Sequence, residues 1–416
     1  MSAEAAAPFD EKSFSIFRYP PVLFLWLARV ATAVAYQMQA VAVGWQIYEL
    51  TSSPLQLGFV GLMMFIPAVL LVLVVGPIVD RYNRKKIISF AQIVMAAAVG
   101  FLALLTITGL VATTLMLAAV FVLGAARSFE STAIQTLPPS IVPPSALSQT
   151  IAGLSSAYQL ATIVGPGVGG LLLMAGPAYV YVACCTLFAV SSTFVWLIRM
   201  QRPAPKRAPF SFDLLFAGIK FVGQNPIVLG AMSLDLFAVI FAGATALFPI
   251  YARDIFGVDS WGLGLMRAAP AVGAITVSFL LVRWPLRYDI GRTMFIGVAV
   301  YGIATIVFGL STSFPLSLAA LVVTGGADML SVVVRQPLIQ LETPDAMRGR
   351  VSAVNSLFIG SSNQIGEFRA GVAAHWLGTV PSVVIGGVGT VLIVLLWIRI
   401  FPALYRVHTF EQRYPK

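Results

Sequence analysis

Two long apolar runs of the chain flank the stretch Gly76-Pro77-Ile78-Val79-Asp80-Arg81-Tyr82-Asn83-Arg84-Lys85-Lys86. From Asp80 to Lys86 this stretch holds one acidic and four basic residues. A charge at the centre of a bilayer costs at least about 2.5–3.5 kcal/mol, so the stretch must lie outside the hydrocarbon. It therefore predicts a short aqueous loop between two membrane helices. Its excess of Lys and Arg predicts that the loop is cytoplasmic.

The composition of the whole chain excludes a soluble protein. Hydrophobic residues make up 59% of the 416 residues and charged residues only 10%, whereas soluble domains contain about 25% charged residues. Apolar segments long enough to span about 30 Å of hydrocarbon recur along the chain. We predict twelve, at 20–48, 54–79, 87–109, 113–138, 145–174, 177–199, 226–252, 261–283, 292–311, 314–340, 345–377 and 379–402. The predicted fold class is an all-α polytopic membrane protein with twelve transmembrane helices.

The net charge of +10 is distributed as in a membrane protein rather than a nucleic-acid-binding protein. Five of the 26 Lys and Arg residues lie in the interior of predicted segments, away from the segment ends, and of the others only Arg253 lies in or beside an odd-numbered loop. The remainder lie at the termini and in even-numbered loops, which predicts that both termini are cytoplasmic. No separate basic domain is present that could bind nucleic acid. We therefore expect the lipid bilayer as a partner and no nucleic acid.

The two halves of the chain repeat each other at a constant offset of 201 residues. The offset aligns Gly124 with Gly325, Arg127 with Asp328, Gln135 with Gln336, Pro143 with Pro344, Gly165 with Gly366 and Gly170 with Gly371. It predicts two pseudo-symmetric six-helix bundles, 1–199 and 226–402. Between them we predict a cytoplasmic linker with a short amphipathic helix at 200–225, and after them a cytoplasmic tail at 403–416.

Three motifs resemble those of the major facilitator superfamily (MFS). The pattern G-x-x-x-D-R-x-x-R-K, starting at Gly76, resembles the loop between helices 2 and 3 of these transporters. The pattern G-P-x-x-G-G (Gly165, Pro166, Gly169 and Gly170) resembles a helix-5 motif seen mainly in exporters and antiporters. It is also what close helix packing requires, because small residues let membrane helices approach. The stretches 234–236, 248–254, 325–336, 343–355 and 366–371 resemble the bacterial subgroup that includes the enterobactin exporters.

This resemblance implies a gate built from the motif around Asp80. It places Asp80 against the N-terminus of segment 11 when the cytoplasmic side is closed, because helix-end amides attract an anion. The residues implied in this gate are Gly76, Asp80, Arg81, Arg84, Lys85, Asp345, Arg348 and Arg350. The loop after segment 8, at 282–289, lacks the same order of charges, so the second half carries only a degenerate copy.

Charged residues inside the predicted segments indicate a polar pathway. Nine lie away from the segment ends, in segments 1, 4, 7, 8, 10 and 11: Arg29, Arg127, Glu130, Asp235, Arg267, Asp328, Arg335, Glu367 and Arg369. In the MFS fold, helices 1, 4, 7 and 10 line the central cavity. We therefore predict a substrate and proton cavity formed by Arg29, Tyr36, Gln37, Arg127, Glu130, Asp235, Asp328, Arg335 and Glu367. Internal pairs that only stabilise the bundle are the alternative for these charges.

Two hypotheses about individual charges follow. Asp235 has no charged neighbour on its own helix, and an unpaired buried carboxyl can bind and release protons. We therefore take it as the first candidate for proton coupling, followed by Glu130 and Asp328. Arg127 and Asp328 occupy equivalent positions with opposite charges, which predicts an ion pair across the cavity when the cytoplasmic gate closes. Pairing of Arg127 with Glu130 on its own helix is the alternative.

The function expected from the sequence is secondary active transport. The leading hypothesis is a proton-coupled exporter of an amphipathic organic molecule, such as a siderophore or a drug, in the inner membrane of a bacterium and acting as a monomer. An importer or uniporter of a small metabolite and a non-transporting receptor are the alternatives. No glycine-rich phosphate loop and no catalytic or metal-binding motif is present, so we expect neither an enzyme nor a cofactor or metal.

Overall fold

The computed structural model describes residues 19–198, 212–286 and 288–409. Within these ranges the long helices are α1 (Pro20–Thr51), α2 (Pro54–Arg81), α3 (Arg84–Ile107), α4 (Thr113–Thr136), α5 (Pro144–Leu173), α6 (Pro177–Leu197), α7 (Pro226–Ala242), α8 (Ser260–Arg283), α9 (Ile290–Leu310), α10 (Phe314–Glu342), α11 (Asp345–Leu377) and α12 (Thr379–Ile400). They match the twelve predicted segments in order. The linker helix, Phe212–Gln224, precedes α7.

Eleven membrane-spanning candidates, by length and hydropathy, occur within the described residues. The long helix outside this set is α11, whose sequence includes Asp345, Arg348, Arg350, Glu367 and Arg369. A helix this polar is stable in a bilayer only when its polar face meets protein or a water-filled cavity. Its position between α2, α7 and α12 satisfies that requirement.

The predicted segment 226–252 corresponds to a candidate span at Pro226–Ile255, but this span is not one continuous α-helix. Its α-helix ends at Ala242, and short helical turns follow at Thr245–Leu247 and Phe248–Ile250, then a π-helical turn at Tyr251–Ile255. Pro249 lacks a backbone donor and therefore cannot continue a regular hydrogen-bond ladder. A Cβ on Gly243 would also lie only 2.8 Å from the carbonyl oxygen of Val239. Hydropathy cannot reveal this break, because the residues around it are uniformly apolar.

The two halves meet through equivalent pairs of helices, α2 with α11 and α5 with α8. Small residues make both contacts possible. A Cβ on Gly371 would lie 2.6 Å from Cα of Gly58, and a Cβ on Gly170 would lie 2.9 Å from Cα of Gly264. Glycines related by the 201-residue offset thus have the same packing role in opposite halves.

Hydrophobic packing distinguishes the two ends of the molecule. We call the end that carries the α2–α3 turn the Asp80 side and the end that carries the α1–α2 turn the Tyr48 side. One large buried cluster joins both halves towards the Tyr48 side and includes Tyr48, Tyr181, Tyr251 and Phe308. Towards the Asp80 side, each half has a separate cluster of its own. The halves are therefore packed together at one end and apart at the other.

Candidate substrate cavity and gates

A cavity of about 840 Å³ lies between the halves towards the Asp80 side. Its walls come from α2, α4 and α11, and its lining includes Phe65, Gly76, Ser128, Gln135, Ser352 and Gln364. Hydroxyl and amide groups on α4 and α11 face apolar side chains of α2 across this space. The lining therefore suits a molecule with both polar and apolar surfaces.

The Tyr48 side is closed by contacts that cross between the halves. The Tyr48 hydroxyl, at the end of α1, donates a hydrogen bond to the carboxylate of Asp254. The guanidinium of Arg253 lies 5.9 Å from the centre of the Tyr48 ring. The hydroxyl of Ser260 donates to the carbonyl oxygen of Gly170 at 2.9 Å, beside the contact of α5 with α8. These contacts must break before this side can open.

A charged cluster occupies the N-terminal half. Glu130 of α4 is fully buried, and its carboxylate lies 3.7 Å from a nitrogen of Arg29 and 3.9 Å from a nitrogen of Arg127. These distances exceed those of hydrogen bonds, and neither carboxylate oxygen has a hydrogen-bond partner among the described residues. With one anion and two cations, the cluster has a net charge of about +1 when all three groups are ionised.

Aromatic rings cover the two cations of this cluster. The Arg127 guanidinium lies 3.6 Å from the centre of the Tyr36 ring, and that of Arg29 lies 5.1 Å from the Tyr158 ring. An Arg on an aromatic face keeps its charge while its ring partner excludes water. Arg29 and Tyr36, which share a face of α1, both belong to this cluster, and Tyr158 of α5 adjoins it.

Gln37 and the glycines of α5 form a packing contact. A Cβ on Gly165 would lie 2.6 Å from Cβ of Gln37, and a Cβ on Gly169 would lie 3.0 Å from Cα of Met38. The motif therefore fixes α5 against α1 on one face and, through Gly170, against α8 on another. Both the packing interpretation and the exporter resemblance remain compatible with this geometry.

The C-terminal half contributes charges of its own. Arg267 of α8 interacts electrostatically with Glu367 of α11 and with Tyr36 of α1. Glu367 and Asp328 line a second cavity of about 170 Å³ inside this half. Arg369, on another face of α11, donates to the carbonyl oxygen of Ile240 at 2.8 Å and therefore has a packing role. The charges of Arg267 and Glu367 therefore act on each other and on the Tyr36 hydroxyl of the other half.

The expectation that Asp235 lacks a charged partner is wrong. Asp235 forms an ion pair with Arg335 of α10, and both side chains are buried. Neither residue lines the two cavities described above. The same contact removes Arg335 from any pairing with Asp328, which instead faces the second cavity. Spacing along one helix cannot reveal a partner on another helix, which is why the sequence suggested a different pairing.

The residues of the Asp80 motif lie around the α2–α3 turn. Asp80 lies 3.6 Å from Arg84, whose buried side chain also donates to the carbonyl oxygen of Thr136 at 3.2 Å. Lys85 donates to the carbonyl oxygen of Ile198 at 2.9 Å. Arg81 lies near the exposed ring of Tyr82. Asp80 and Arg350 both line the large cavity, on α2 and α11 respectively, so these predicted gate residues lie on different walls of it.

The other predicted gate residues lie at the start of α11. Arg348 forms an ion pair with Asp345 at 2.7 Å, and both side chains are exposed. The guanidinium of Arg350 contacts the sulfur of Met347. Asp345 therefore pairs with Arg348 at the N-terminus of α11. Asp80, on α2, lies near Arg84 instead.

A comparison with protein families gives one match over nearly the whole chain, the family described as "Transmembrane secretion effector", at residues 4–412. The chain belongs to this family of MFS transporters. It is 26% identical to the enterobactin exporter EntS of Citrobacter koseri over 403 residues, covering 93% of each protein. It is also 26% identical to the EntS of Escherichia coli O1:K1 over 407 residues, again with 93% of each covered.

Solved structures with a similar fold are MFS transporters of diverse function. A bacterial homologue of the lysosomal transporter Spinster, inward-facing and unoccupied, aligns over 93% of this chain and 96% of that chain, with a TM-score of 0.73 and 16% identity. A bacterial homologue of ferroportin, inward-facing, covers 94% and 100%, with a TM-score of 0.69 and 18% identity. The predicted fold of twelve helices in two bundles is confirmed, and the protein is a membrane transporter.

Sequence reasoning missed several residues of this transmembrane secretion effector. A search for charges inside the predicted segments does not find uncharged residues such as Tyr48 and Tyr158. It also does not find Asp254, which lies just after segment 226–252. A signal existed for two of them, because Tyr48 and Asp254 lie near the ends of segments 1 and 7, which the repeat makes equivalent. Only the three-dimensional contacts show that they meet.

Proposed function

We propose that this transporter is a secondary active exporter of an amphipathic, siderophore-like organic molecule, coupled to protons by alternating access. The observation that carries the proposal is the large cavity, which is open on the Asp80 side and closed on the Tyr48 side. Such an arrangement is one of the two states that alternating access requires. The similarity to the enterobactin exporters supports the direction of transport and the class of substrate.

The topology belongs to the same proposal. The Lys and Arg distribution supports a bacterial inner-membrane location with the Asp80 side and both termini in the cytoplasm. We place the bundles at 1–199 and 226–402, the linker at 200–225 and the tail at 403–416. The linker helix packs against α11 near the Asp80 side, where a Cβ on Gly218 would lie 3.0 Å from the carbonyl oxygen of Arg350. We propose a monomer as the functional unit.

Glu130 is our candidate for the proton-coupling carboxyl. It is fully buried beside two cations that lie beyond hydrogen-bond distance, and it is close to the aromatic rings of the N-terminal half. Binding of an anionic or phenolic group by Arg29 and Arg127 would weaken their hold on Glu130 and favour its protonation. Substrate and proton binding would thereby be linked.

The test uses inside-out membrane vesicles that contain the full-length protein. Radiolabelled iron-free enterobactin serves as the probe, with and without an acidic vesicle interior. We expect accumulation several-fold above that of vesicles lacking the protein, and collapse of the pH gradient should abolish it. The variant Glu130→Gln should retain exchange of the probe but lose the response to the gradient. Accumulation only in right-side-out vesicles would contradict export and favour an importer.

A further inference from the structure

The second cavity, inside the C-terminal half, has a chemical character different from that of the N-terminal cluster. We call it the acidic cavity; it has a volume of about 170 Å³. Its polar lining comes from two carboxyls, one amide and three threonines, together with Tyr301: Asp328, Glu367, Asn363, Thr245, Thr305 and Thr324. Asp328 is an exposed residue and lines this cavity.

Neither carboxyl of the acidic cavity takes part in an ion pair within the described part of the chain. Arg267 interacts with Glu367 electrostatically but lies outside the cavity lining. Arg335, the nearest basic residue along α10, pairs with Asp235 instead. The cavity therefore presents negative charge that the surrounding residues only partly compensate.

The C-terminal end of α7, at Ala242, adds to this negative potential. Val239 and Ala242 at the end of the helix line the cavity, followed by Gly243 and Thr245 of the broken segment. The C-terminus of a helix carries a partial negative charge and stabilises nearby cations. α7 is 17 residues long and ends beside the cavity, within the longer candidate span Pro226–Ile255. A helix end in this position favours a positively charged group.

Aromatic rings form the apolar wall of the same cavity. Phe248 and Phe308 both line it, with ring centres 5.4 Å apart in an edge-on arrangement. Aromatic faces combined with carboxylates and hydroxyl groups are what an organic ammonium group requires: the rings contact its alkyl part and the oxygens accept its hydrogens. A bare proton would need no such space.

The opposite half presents the opposite charge at the equivalent position. Arg127 corresponds to Asp328 through the 201-residue offset and lies on the Tyr36 ring. The positive cluster therefore lies in the N-terminal half, and the acidic cavity lies in the C-terminal half. A molecule that bridges the two halves would meet cations on one side and carboxyls on the other.

We propose that the acidic cavity binds an organic ammonium group of the exported molecule. The substrate would then carry a basic group beside the acidic or phenolic group that faces Arg29 and Arg127. This inference rests on the proposed export of a siderophore-like molecule and adds to it a preference for substrates that carry an ammonium group. The ammonium group would lie between the carboxyls of Asp328 and Glu367, and the alkyl chain that carries it would pack against Phe248 and Phe308.

The test compares two matched probes with the purified full-length protein. The first is the 2,3-dihydroxybenzoyl conjugate of lysine amide through its α-nitrogen, which carries a catechol and a free ammonium group. The second is the same compound acetylated on the ε-nitrogen, which removes the charge. Affinity is measured from the concentration dependence of the thermal unfolding midpoint. We expect the wild-type protein to bind the first probe about tenfold more tightly than the second.

Single-residue variants test whether the carboxyls of the acidic cavity cause the preference for the charged probe. Asp328→Asn should reduce the difference between the probes to about twofold or less by weakening only the first. Asp328→Glu should keep part of the preference, and Glu367→Gln provides a second variant if Asp328→Asn folds poorly. Glu49→Gln, which makes the same chemical change at an exposed position, should leave both affinities unchanged.

The outcomes distinguish this inference from the function on which it rests. Equal binding of both probes by the wild type would overturn the ammonium site and leave the exporter proposal intact. An unchanged preference in Asp328→Asn and in Glu367→Gln would also overturn it. Failure of the wild type to bind either probe would overturn the substrate class, and this inference with it. If Asp328→Asn lost only the response of transport to a pH gradient, Asp328 would be a proton site rather than part of an ammonium site.

Discussion

At the scale of single residues, the ion pair between Asp235 and Arg335 joins α7 to α10 in the apolar interior. A buried ion pair contributes little net stability, but removal of one partner leaves an uncompensated charge and costs about 3–5 kcal/mol. The position of this pair outside both cavities indicates a structural role. The earlier hypothesis of a proton-coupling Asp235 assumed that no partner was present.

We predict that Asp235→Leu lowers the thermal unfolding midpoint of the purified protein markedly. The double variant Asp235→Leu/Arg335→Leu should recover most of the loss, because no unpaired charge is then buried. Thermal unfolding of the single and double variants in the same detergent provides the measurement. If Asp235→Asn kept its stability but its transport no longer depended on pH, the coupling hypothesis for Asp235 would be restored.

The residue scale also shows how far the site could be predicted. The grouping of Arg29 and Tyr36 on one face of α1 could be inferred from a helical period. The contact of Arg127 with Glu130 could be inferred from their spacing of three residues on α4. The partners on other helices could not, because apolar membrane sequences carry little information about which helices touch. Tyr158 and Arg335 are the clearest cases.

At the scale of elements, helix positions were predicted well and helix ends less well. The aqueous turn at Asp80 and the Pro residues at helix starts mark boundaries in the sequence itself. The start of α3 at Arg84 rather than 87 depends on Asn83, whose side chain accepts a hydrogen bond from the backbone nitrogen of Lys85 at 3.0 Å. Charged residues extend a helix beyond the hydrocarbon, so hydropathy underestimates its length.

Gly170 allows a prediction about the contact of α5 with α8. Its missing side chain leaves room for Ser260 and Gly264, since a Cβ there would lie 2.7 Å from the Ser260 carbonyl oxygen. We expect Gly170→Val to separate these helices and open the Tyr48 side. Accessibility of a cysteine at position 260 to a membrane-impermeant thiol reagent would report the opening.

Gly167 provides the matched control for Gly170→Val. It lies on the same helix and in the same motif, but a Cβ there would have no neighbour within 4 Å. Gly167→Val should therefore leave the accessibility of position 260 unchanged. If Gly170→Val behaved like Gly167→Val, the contact of α5 with α8 would not be what keeps this side closed.

The α2–α3 turn allows a prediction about the gate. Asp80 is partly exposed in the open state, where it lies near Arg84 and away from α11. Closure would bring it to the N-terminus of α11, where helix-end amides stabilise an anion. We expect Asp80→Asn to reach the membrane in normal amounts but to reduce transport about tenfold or more, because the closed state loses this stabilisation.

Membrane abundance and vesicle uptake measured on the same preparations separate gating from folding. Lys86→Gln provides a control, because it also removes one charge from this turn but leaves Asp80 and Arg84 in place. Wild-type uptake by a well-expressed Asp80→Asn variant would contradict the proposed role of the turn.

At the scale of the whole molecule, one hydrophobic cluster crosses between the halves on the Tyr48 side and none of the described clusters does so on the Asp80 side. Opening of the Tyr48 side must therefore be compensated by new contacts at the other end. Hydrophobic packing at Gly58 and Gly371 would be lost, and contacts between α4 and α10 are the natural replacement. Alternating access thus requires paired surfaces that the present state leaves apart.

Arg127 and Asp328 are our candidates for such a pair. In this structure Arg127 lies on Tyr36 and near Glu130, while Asp328 faces the acidic cavity. Their equivalence under the 201-residue offset places them on opposite sides of the pseudo-symmetry axis. Closure of the Asp80 side would bring them towards each other, and an ion pair formed there would stabilise the closed state in the absence of substrate.

A charge exchange tests this pair through conformation rather than transport. A cysteine at Ser352, on the cavity wall, reports the open Asp80 side by its rate of reaction with a thiol reagent, in a background without Cys184 and Cys185. Arg127→Asp and Asp328→Arg should each increase that rate without substrate, because like charges would then oppose closure. The double variant should return the rate towards the wild-type value. A double variant as reactive as the single variants, at equal abundance, would show that Arg127 acts only with Glu130.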